Sequence, residues 1–317
     1  MPALVTLGDV EAAAARIAGR VRRTPMLAAA PVRDAPAWAD DLLLKLESLQ
    51  VTGSFKARGA CNTAAALPPE QMRRGLVTAS GGNHGLAVAY AGRAAGVPAT
   101  VYLPESAPLS KRRKLEAWGA AVEVHGAVWD DSNAAALSRA ARDGLHYVHP
   151  FADPLVIAGQ GTVATEILED ASAVDTLLVA VGGGGLISGM AAAAVAVRPG
   201  VKVVGVEPHG AATLHGSLRA GQPTALERIA TMAGSLAPLA TAPLPFAMVR
   251  RHVAEIVLVS DQEMRDAAAW LWFEHGIAAE MAGAASVAAL LAGSYRPALG
   301  ERVCAVVCGA GTDGIPA

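Results

Sequence analysis

A single lysine, Lys56, follows a small flexible turn in the run Gly53-Ser54-Phe55-Lys56 and stands where a helix is expected to open. Enclosed there, its ammonium would lose solvation, and desolvation favours the neutral, nucleophilic amine. On this segment alone Lys56 reads first as a surface lysine at a helix start. Two further glycine-bearing segments change that reading. Ser80-Gly81-Gly82-Asn83-His84-Gly85 leaves a strand and enters an apolar helix. Free backbone N–H groups and the helix dipole at such a start bind carboxylates or phosphates, and Ser80, Asn83 and His84 can add side-chain donors. Gly182-Gly183-Gly184-Gly185, followed by Leu186, again joins a strand to a helix, and missing side chains let backbone amides approach a phosphate.

The tetraglycine lacks the Gly-Lys-Ser/Thr ending of a P-loop, and no register gives GxGxxG without replacing a glycine, so a mononucleotide-like phosphate fits better than a dinucleotide. Near the C-terminus, the apolar run at 303–307 ends at Cys308 and a glycine-rich turn at 309–314. Cys308 would present a weakly polar thiol at the sheet edge. Cys304 and Cys308 share a strand face, but no histidine or further cysteine stands at ligand spacing, so core thiols are the default over a zinc site.

The elements that must position these residues are legible as β-rich runs at 42–46, 76–79, 99–103, 121–124, 176–181, 201–206, 256–259 and 303–307, separated by alanine-rich stretches of helical length. Most runs are apolar on both faces, which predicts an α/β fold of mostly parallel sheets covered by helices. Ligands are then expected at the carboxyl ends of the strands. Residues 76–144 make three strand-helix units, so a smaller domain at 51–145 is expected to be inserted in a larger one formed by 1–50 and 146–317, with His149-Pro150-Phe151-Ala152-Asp153-Pro154 as the return crossing. The proline-bearing segment 238–245 reads as a loop lying over something.

Composition narrows the function classes. The chain has 317 residues, 53% apolar and 17% charged, enough to bury a large core. A net charge of -2 gives no positive excess for a nucleic-acid backbone, and the basic cluster Lys111 to Lys114 reads as a solvated helix face. Three cysteines, Cys61, Cys304 and Cys308, make no disulfide scaffold, which fits a reducing cytoplasm. Asp9, Glu11 and Arg16 interrupt the N-terminus before any secretory apolar region develops. The uncharged stretch 176–197 is long enough to span a bilayer, but the tetraglycine inside it points to a strand, a loop and a helix, with no membrane association expected.

Taken together, Gly53 to Ala60, Ser80 to Gly85, Val156-Ile157-Ala158-Gly159-Gln160-Gly161-Thr162, the tetraglycine and Gly276-Ile277-Ala278-Ala279-Glu280 closely resemble the fold type II pyridoxal-phosphate enzymes. These are two-domain proteins of the tryptophan synthase β-like fold, and within them the match is to the serine/threonine dehydratase and serine racemase group. The resemblance implies that Lys56 holds pyridoxal 5'-phosphate as a Schiff base and later takes the Cα proton, with Phe55 against the ring and Asn83 on the ring hydroxyl. It implies that Ser54, Ser80, Gly82 and His84 bind the substrate, the last three its carboxylate. Gly182, Gly183, Gly184, Gly185 and Leu186 would bind the cofactor phosphate, and Cys308 would face the pyridine nitrogen. A homodimer is the family expectation.

Three departures matter. Gly81 stands where the racemases have a serine on the far face of the cofactor, which argues for elimination over racemisation. In the group's cation site, Glu207 and Ala211 align but Thr213 replaces an acid, so no metal ligand set is assigned, and a magnesium or calcium ion stays open. In Ala230 to Leu236, Gly234 and Ser235 replace residues that relatives place beside the ring, so side-chain preference does not transfer. The expected activity is an ammonia-lyase converting an L-β-hydroxy amino acid of the L-threonine or L-serine type to a 2-oxo acid and ammonia. The alternatives are a β-replacement synthase of the cysteine or threonine synthase kind, an amino-acid racemase and a non-catalytic cofactor-binding regulator.

Overall fold

A computed structural model describes residues 3–33 and 36–311. Residues 312–314 of the C-terminal glycine turn therefore lie outside the described residues. The strands are β1 Met26–Ala28, β2 Leu42–Lys45, β3 Leu76–Ala79, β4 Ala99–Leu103, β5 Ala121–Val124, β6 His146–Tyr147, β7 Thr176–Ala180, β8 Lys202–Pro208, β9 Glu255–Val259 and β10 Val303–Val306. The helices are α1 Leu7–Ile17, α2 Lys56–Ala66, α3 Pro69–Arg74, α4 Asn83–Ala95, α5 Leu109–Ala117, α6 Trp129–Asp143, α7 Pro154–Asp170, α8 Gly185–Val197, α9 Thr213–Ala220, α10 Pro243–His252, α11 Asp261–His275 and α12 Met281–Leu291.

All eight expected strands form. The two that sequence reading passed over, β1 and β6, are three and two residues long, too short for a periodicity to register. One sheet has six strands in the order β1-β2-β10-β7-β8-β9, parallel except for β1, and the other four parallel strands in the order β5-β4-β3-β6. Fully buried strands such as β7, Thr-Leu-Leu-Val-Ala, carry no polar face because helices cover both sides. Local chemistry sets the helix ends. Thr6 with Asp9 and Ser260 with Glu263 form capping boxes at α1 and α11, and Asp153 caps α7 just ahead of Pro154 at its first position. The uncharged stretch 176–197 resolves into β7, the glycine loop and α8. No helix among the described residues is long and apolar enough to cross a membrane. The basic cluster lies on α5, with Arg113 exposed and Lys111, Arg112 and Lys114 half-buried.

Helix α7 packs against α2 on one side and α8 on the other at glycine-only distance. A Cβ on Gly189 of α8 would stand 2.1 Å from the Ile157 carbonyl oxygen and 2.7 Å from the Gly161 nitrogen. A Cβ on Gly159 would stand 2.7 Å from the Arg58 carbonyl oxygen on α2. Backbone atoms cannot yield as a flexible side chain would, so the Gly159-Gln160-Gly161 motif is where α7 accepts both neighbours. Gly189→Ala is expected to cost about 1–3 kcal/mol through overpacking and to lower the thermal midpoint. Gly216→Ala on α9, where nothing lies within 4 Å of the added methyl, should be neutral or stabilise by up to about 1 kcal/mol. Equal midpoints for the two variants in thermal denaturation would overturn this account of the α7–α8 contact.

Candidate active site

The chain reaches Lys56 through a strained turn. Thr52 adopts φ 65° and ψ 4°, a left-handed conformation unfavourable for a β-branched residue, and Gly53 follows at φ 83°. The end of β10 holds this turn in place. Phe55 N–H donates to the Cys308 carbonyl at 3.2 Å, Ala310 N–H donates to the Gly53 carbonyl at 2.9 Å, and Ser54 pairs with Gly309. Lys56 Nζ donates to the Pro150 carbonyl at 2.6 Å and stands 5.1 Å from the centroid of the Phe55 ring. Burial lowers the Lys56 ammonium from its ordinary 10.5 to about 8, against upward pulls from Cys308 and Glu280. The enclosure expected from sequence is present.

The loop after β3 supplies the second wall. Gly82 N–H donates to Ser80 Oγ at 3.3 Å, and the first-turn N–H groups of α4 are left without intrahelical acceptors. His84 departs from the side-chain donor role read for it. Its Nε2 donates to the Val148 carbonyl at 2.9 Å, and burial, with Lys56 adding to it, lowers the ring to about 3. A neutral imidazole that donates from Nε2 keeps Nδ1 as an acceptor, so the donor His84 offers a carboxylate is its backbone N–H. Asn83 Nδ2 donates to Glu280 Oε1 at 2.6 Å. Asn83 Oδ1, His84 Nδ1, Ser54 Oγ and Thr52 Oγ1 are all buried without a hydrogen-bond partner. Buried orphans of this kind are rare, and four on adjoining segments mark a polar surface shaped for a guest. A Cβ on Gly81 would lie 3.2 Å from Leu103 Cδ2, against apolar surface.

The tetraglycine forms the third wall. Gly184 lies at φ 93° and opens α8. A Cβ on Gly183 would penetrate the Phe151 ring at 2.3 Å, and one on Gly185 would meet the Phe151 backbone at 2.8 Å. Leu186 puts its side chain into the core and contributes only backbone to the loop. Thr241 Oγ1 donates to the Gly183 carbonyl at 3.1 Å, so the loop at 237–242 does cover the glycines, whereas Pro243 and Pro245 already belong to α10. Gly182 lies under Leu236, where the altered segment around Gly234 passes. Cys308 is buried and its Sγ donates to the Ala282 carbonyl at 3.5 Å, and burial pushes its thiol well up, so it stays protonated.

Several groups around this site escaped sequence reading. The fragment 149–154, read only as a crossing, brings His149, Pro150 and Phe151 to Lys56 and the tetraglycine. His149 Nδ1 accepts from the Ala152 N–H at 2.9 Å, and burial lowers its ring to about 4. Glu280 was legible only as the last residue of a motif. At Glu207, both carboxylate oxygens accept backbone N–H groups at the start of α9, from Leu214 at 2.8 Å and His215 at 2.9 Å. Burial nevertheless raises Glu207 to about 7. Thr213 Oγ1 donates to the Pro238 carbonyl at 2.9 Å, and no cluster of three His, Cys, Asp or Glu side chains forms among the described residues.

A family profile described as pyridoxal-phosphate dependent enzyme matches residues 17–309. The chain is 40% identical over 310 residues to an L-threonine ammonia-lyase of Thermotoga maritima, covering 98% of this chain and 76% of that protein. Its fold is similar to that of maize serine racemase, with a TM-score of 0.90, 32% identity, and coverage of 97% of this chain and 94% of that one. It is also similar to the processed form of threonine deaminase isoform 2 from Solanum lycopersicum, with a TM-score of 0.90, 30% identity, and coverage of 98% of this chain and 93% of that one. With the match running from α1 to the turn after β10 and enclosing every wall of the site, the chain belongs to the family of pyridoxal-phosphate dependent enzymes.

Proposed function

We propose that the protein is an ammonia-lyase that converts an L-β-hydroxy amino acid, L-threonine first among them, to a 2-oxo acid and ammonia by β-elimination. The observation that carries this reading is the Lys56 amine, enclosed and lowered to about 8, with the buried and unpartnered Ser54 Oγ and Asn83 Oδ1 on the adjoining segments. The similarity to an L-threonine ammonia-lyase over nearly the whole chain supports it.

The residues fit pyridoxal phosphate. The cradle at Gly183 and Gly185 has no room for side chains, and N–H groups at the start of α8 suit a phosphate dianion. The orphaned polar atoms beside Lys56 suit a polar ring and an amino acid carboxylate. When bound, the group supplies an electron sink that acidifies the Cα–H of an amino acid attached through its amine. Lys56 would hold it at rest and, with its amine free, would take the Cα proton. Ser80, Gly82 and the backbone of His84 bind the substrate carboxylate at the start of α4, which orients the Cα–H bond toward Lys56. Cys308 keeps its proton and so would set no negative charge against the ring nitrogen that the resemblance places beside it, a neutrality that would favour prompt departure of the β-hydroxyl. Gly81 has no side chain to return a proton from the opposite face, which favours elimination over racemisation.

We read the architecture as a larger unit of residues 1–50 and 146–317 with a smaller one inserted at 51–145. The separate six- and four-stranded sheets support this, with β6 carrying the second boundary past Tyr147. A cytoplasmic homodimer completes the reading. Three buried free thiols suit a reducing compartment, and the exposed Trp272 and Phe273 on α11 offer apolar surface for a second copy.

Two measurements test the activity. Purified protein incubated with L-threonine, L-serine, threo-3-hydroxyaspartate and phenylserine should release 2-oxo acid from at least one. Lys56→Ala should lower that turnover by at least about a hundredfold and remove the cofactor absorbance. No oxo acid from any substrate, or turnover retained without the lysine, overturns the mechanism. The second reads the amine itself. Its neutral, nucleophilic fraction grows as pH rises through the folded value of about 8, so cofactor-free protein should take up pyridoxal phosphate faster with rising pH and level off just above 8. A rate still climbing toward the ordinary lysine value of 10.5 would mean that Lys56 is not enclosed.

A further inference from the structure

The motif ending in Glu280 has no part in the reaction derived above, yet it brings a carboxylate into the site. Glu280 Oε1 accepts from Asn83 Nδ2 at 2.6 Å across 197 residues of chain, and no other hydrogen bond of the Asn83 carboxamide forms among the described residues. The amide oxygen and nitrogen of asparagine are nearly the same size, so a carboxamide can present either edge to a ligand unless a neighbour decides. An ionised carboxylate only accepts, so Glu280 admits the nitrogen and refuses the oxygen.

The structure holds this pair in place from behind. Glu280 precedes α12, and its own N–H donates to the Gly309 carbonyl at 3.1 Å. Gly309 in turn lies against α12 so closely that a Cβ on Gly283 would stand 2.1 Å from its carbonyl oxygen. A Cβ on Gly309 would stand 2.9 Å from Glu280 Oε1 and 3.3 Å from Asn83 Nδ2. A bare backbone at 309 is what leaves the carboxylate and the amide free to meet. Gly309 also pairs with Ser54, two residues before Lys56, so the same strand end sets the lysine turn and the Asn83–Glu280 pair.

We propose that Glu280 is a positioning residue that fixes the Asn83 carboxamide so that its second N–H, and not its carbonyl, meets the oxygen on the cofactor ring. The inference rests on the cofactor reading above. Its test is the affinity of cofactor-free protein for pyridoxal phosphate, followed by cofactor absorbance and by tryptophan fluorescence without any turnover. Glu280→Ala frees the amide and should weaken binding by at least about tenfold, the size of one hydrogen bond to a charged group. Glu280→Gln keeps the shape but can accept from the Asn83 nitrogen or donate to its oxygen, so it no longer decides between the two edges and should bind more weakly than the parent, though no more weakly than Glu280→Ala. Asn83→Ala combined with Glu280→Ala should be no weaker than Asn83→Ala alone, because the carboxylate acts through the amide.

Unchanged affinity in Glu280→Ala overturns the inference, and so does full additivity of the two alanine variants. A Glu280→Gln protein that binds as tightly as the parent also overturns it, since a group able to pair with either edge of the amide would then serve as well as one that only accepts. A parent chain that takes up no cofactor overturns the functional reading itself, a result distinct from an intact parent with an unaltered Glu280→Ala variant.

Discussion

The placement of the site depends on one buried guanidinium. Arg58 is fully buried on α2, two residues beyond Lys56, and its nitrogens reach Glu47 at 2.7 and 2.9 Å, Glu166 at 2.6 and 2.8 Å and Thr162 at 3.1 Å. Lys45 Nζ joins the same group through Glu166 at 2.6 Å. Burial opposes the charge, but Glu47 and Glu166 together outweigh it and hold the guanidinium above its ordinary value. Such a network ties α2 to β2 and α7 at fixed angles, and loss of one partner would leave an uncompensated buried charge worth about 3–5 kcal/mol. Lys56 inherits its position from that arrangement.

The glycine contacts work in the same direction. Arg58 sets the orientation of α2 through charge, while Gly59 and Gly159 set its distance from α7 by steric exclusion. Gly189 then carries the spacing on to α8, whose first turn is the tetraglycine. The lysine and the candidate phosphate cradle thus stand at two ends of a rigid three-helix stack, and their separation follows from backbone contacts that tolerate no methyl group.

Around this stack the site collects residues that are far apart in sequence and differently made. Lys56 comes from a strained turn, Ser80 to Gly85 from a strand-helix junction, Pro150 and Phe151 from a crossing, and Cys308 from a strand end. What unites them is enclosure. The same burial lowers the ammonium of Lys56 and the rings of His84 and His149 and raises the thiol of Cys308. Each of these groups is driven toward its neutral form, as expected where water is excluded.

Much of this was legible in the chain alone, because it depends on local rules. Runs apolar on both faces can only be covered strands, and glycines between a strand and a helix can only open a backbone surface. The runs therefore carried the fold class, and the five motifs taken together carried the cofactor by resemblance. Helix ends depend on equally local chemistry, at Thr6, Ser260 and Asp153, although the sequence reading did not single those caps out. What the sequence could not determine is which distant group meets which. His84 looked like a side-chain donor to a ligand, but its Nε2–H is taken up by the Val148 carbonyl 64 residues away, and the fold brings Glu280 to Asn83 across 197 residues. Desolvation, hydrogen-bond pairing and glycine-only approach are properties of neighbours in space, so the reactivity of Lys56 was decided by the tertiary structure, while its candidacy was written in the sequence.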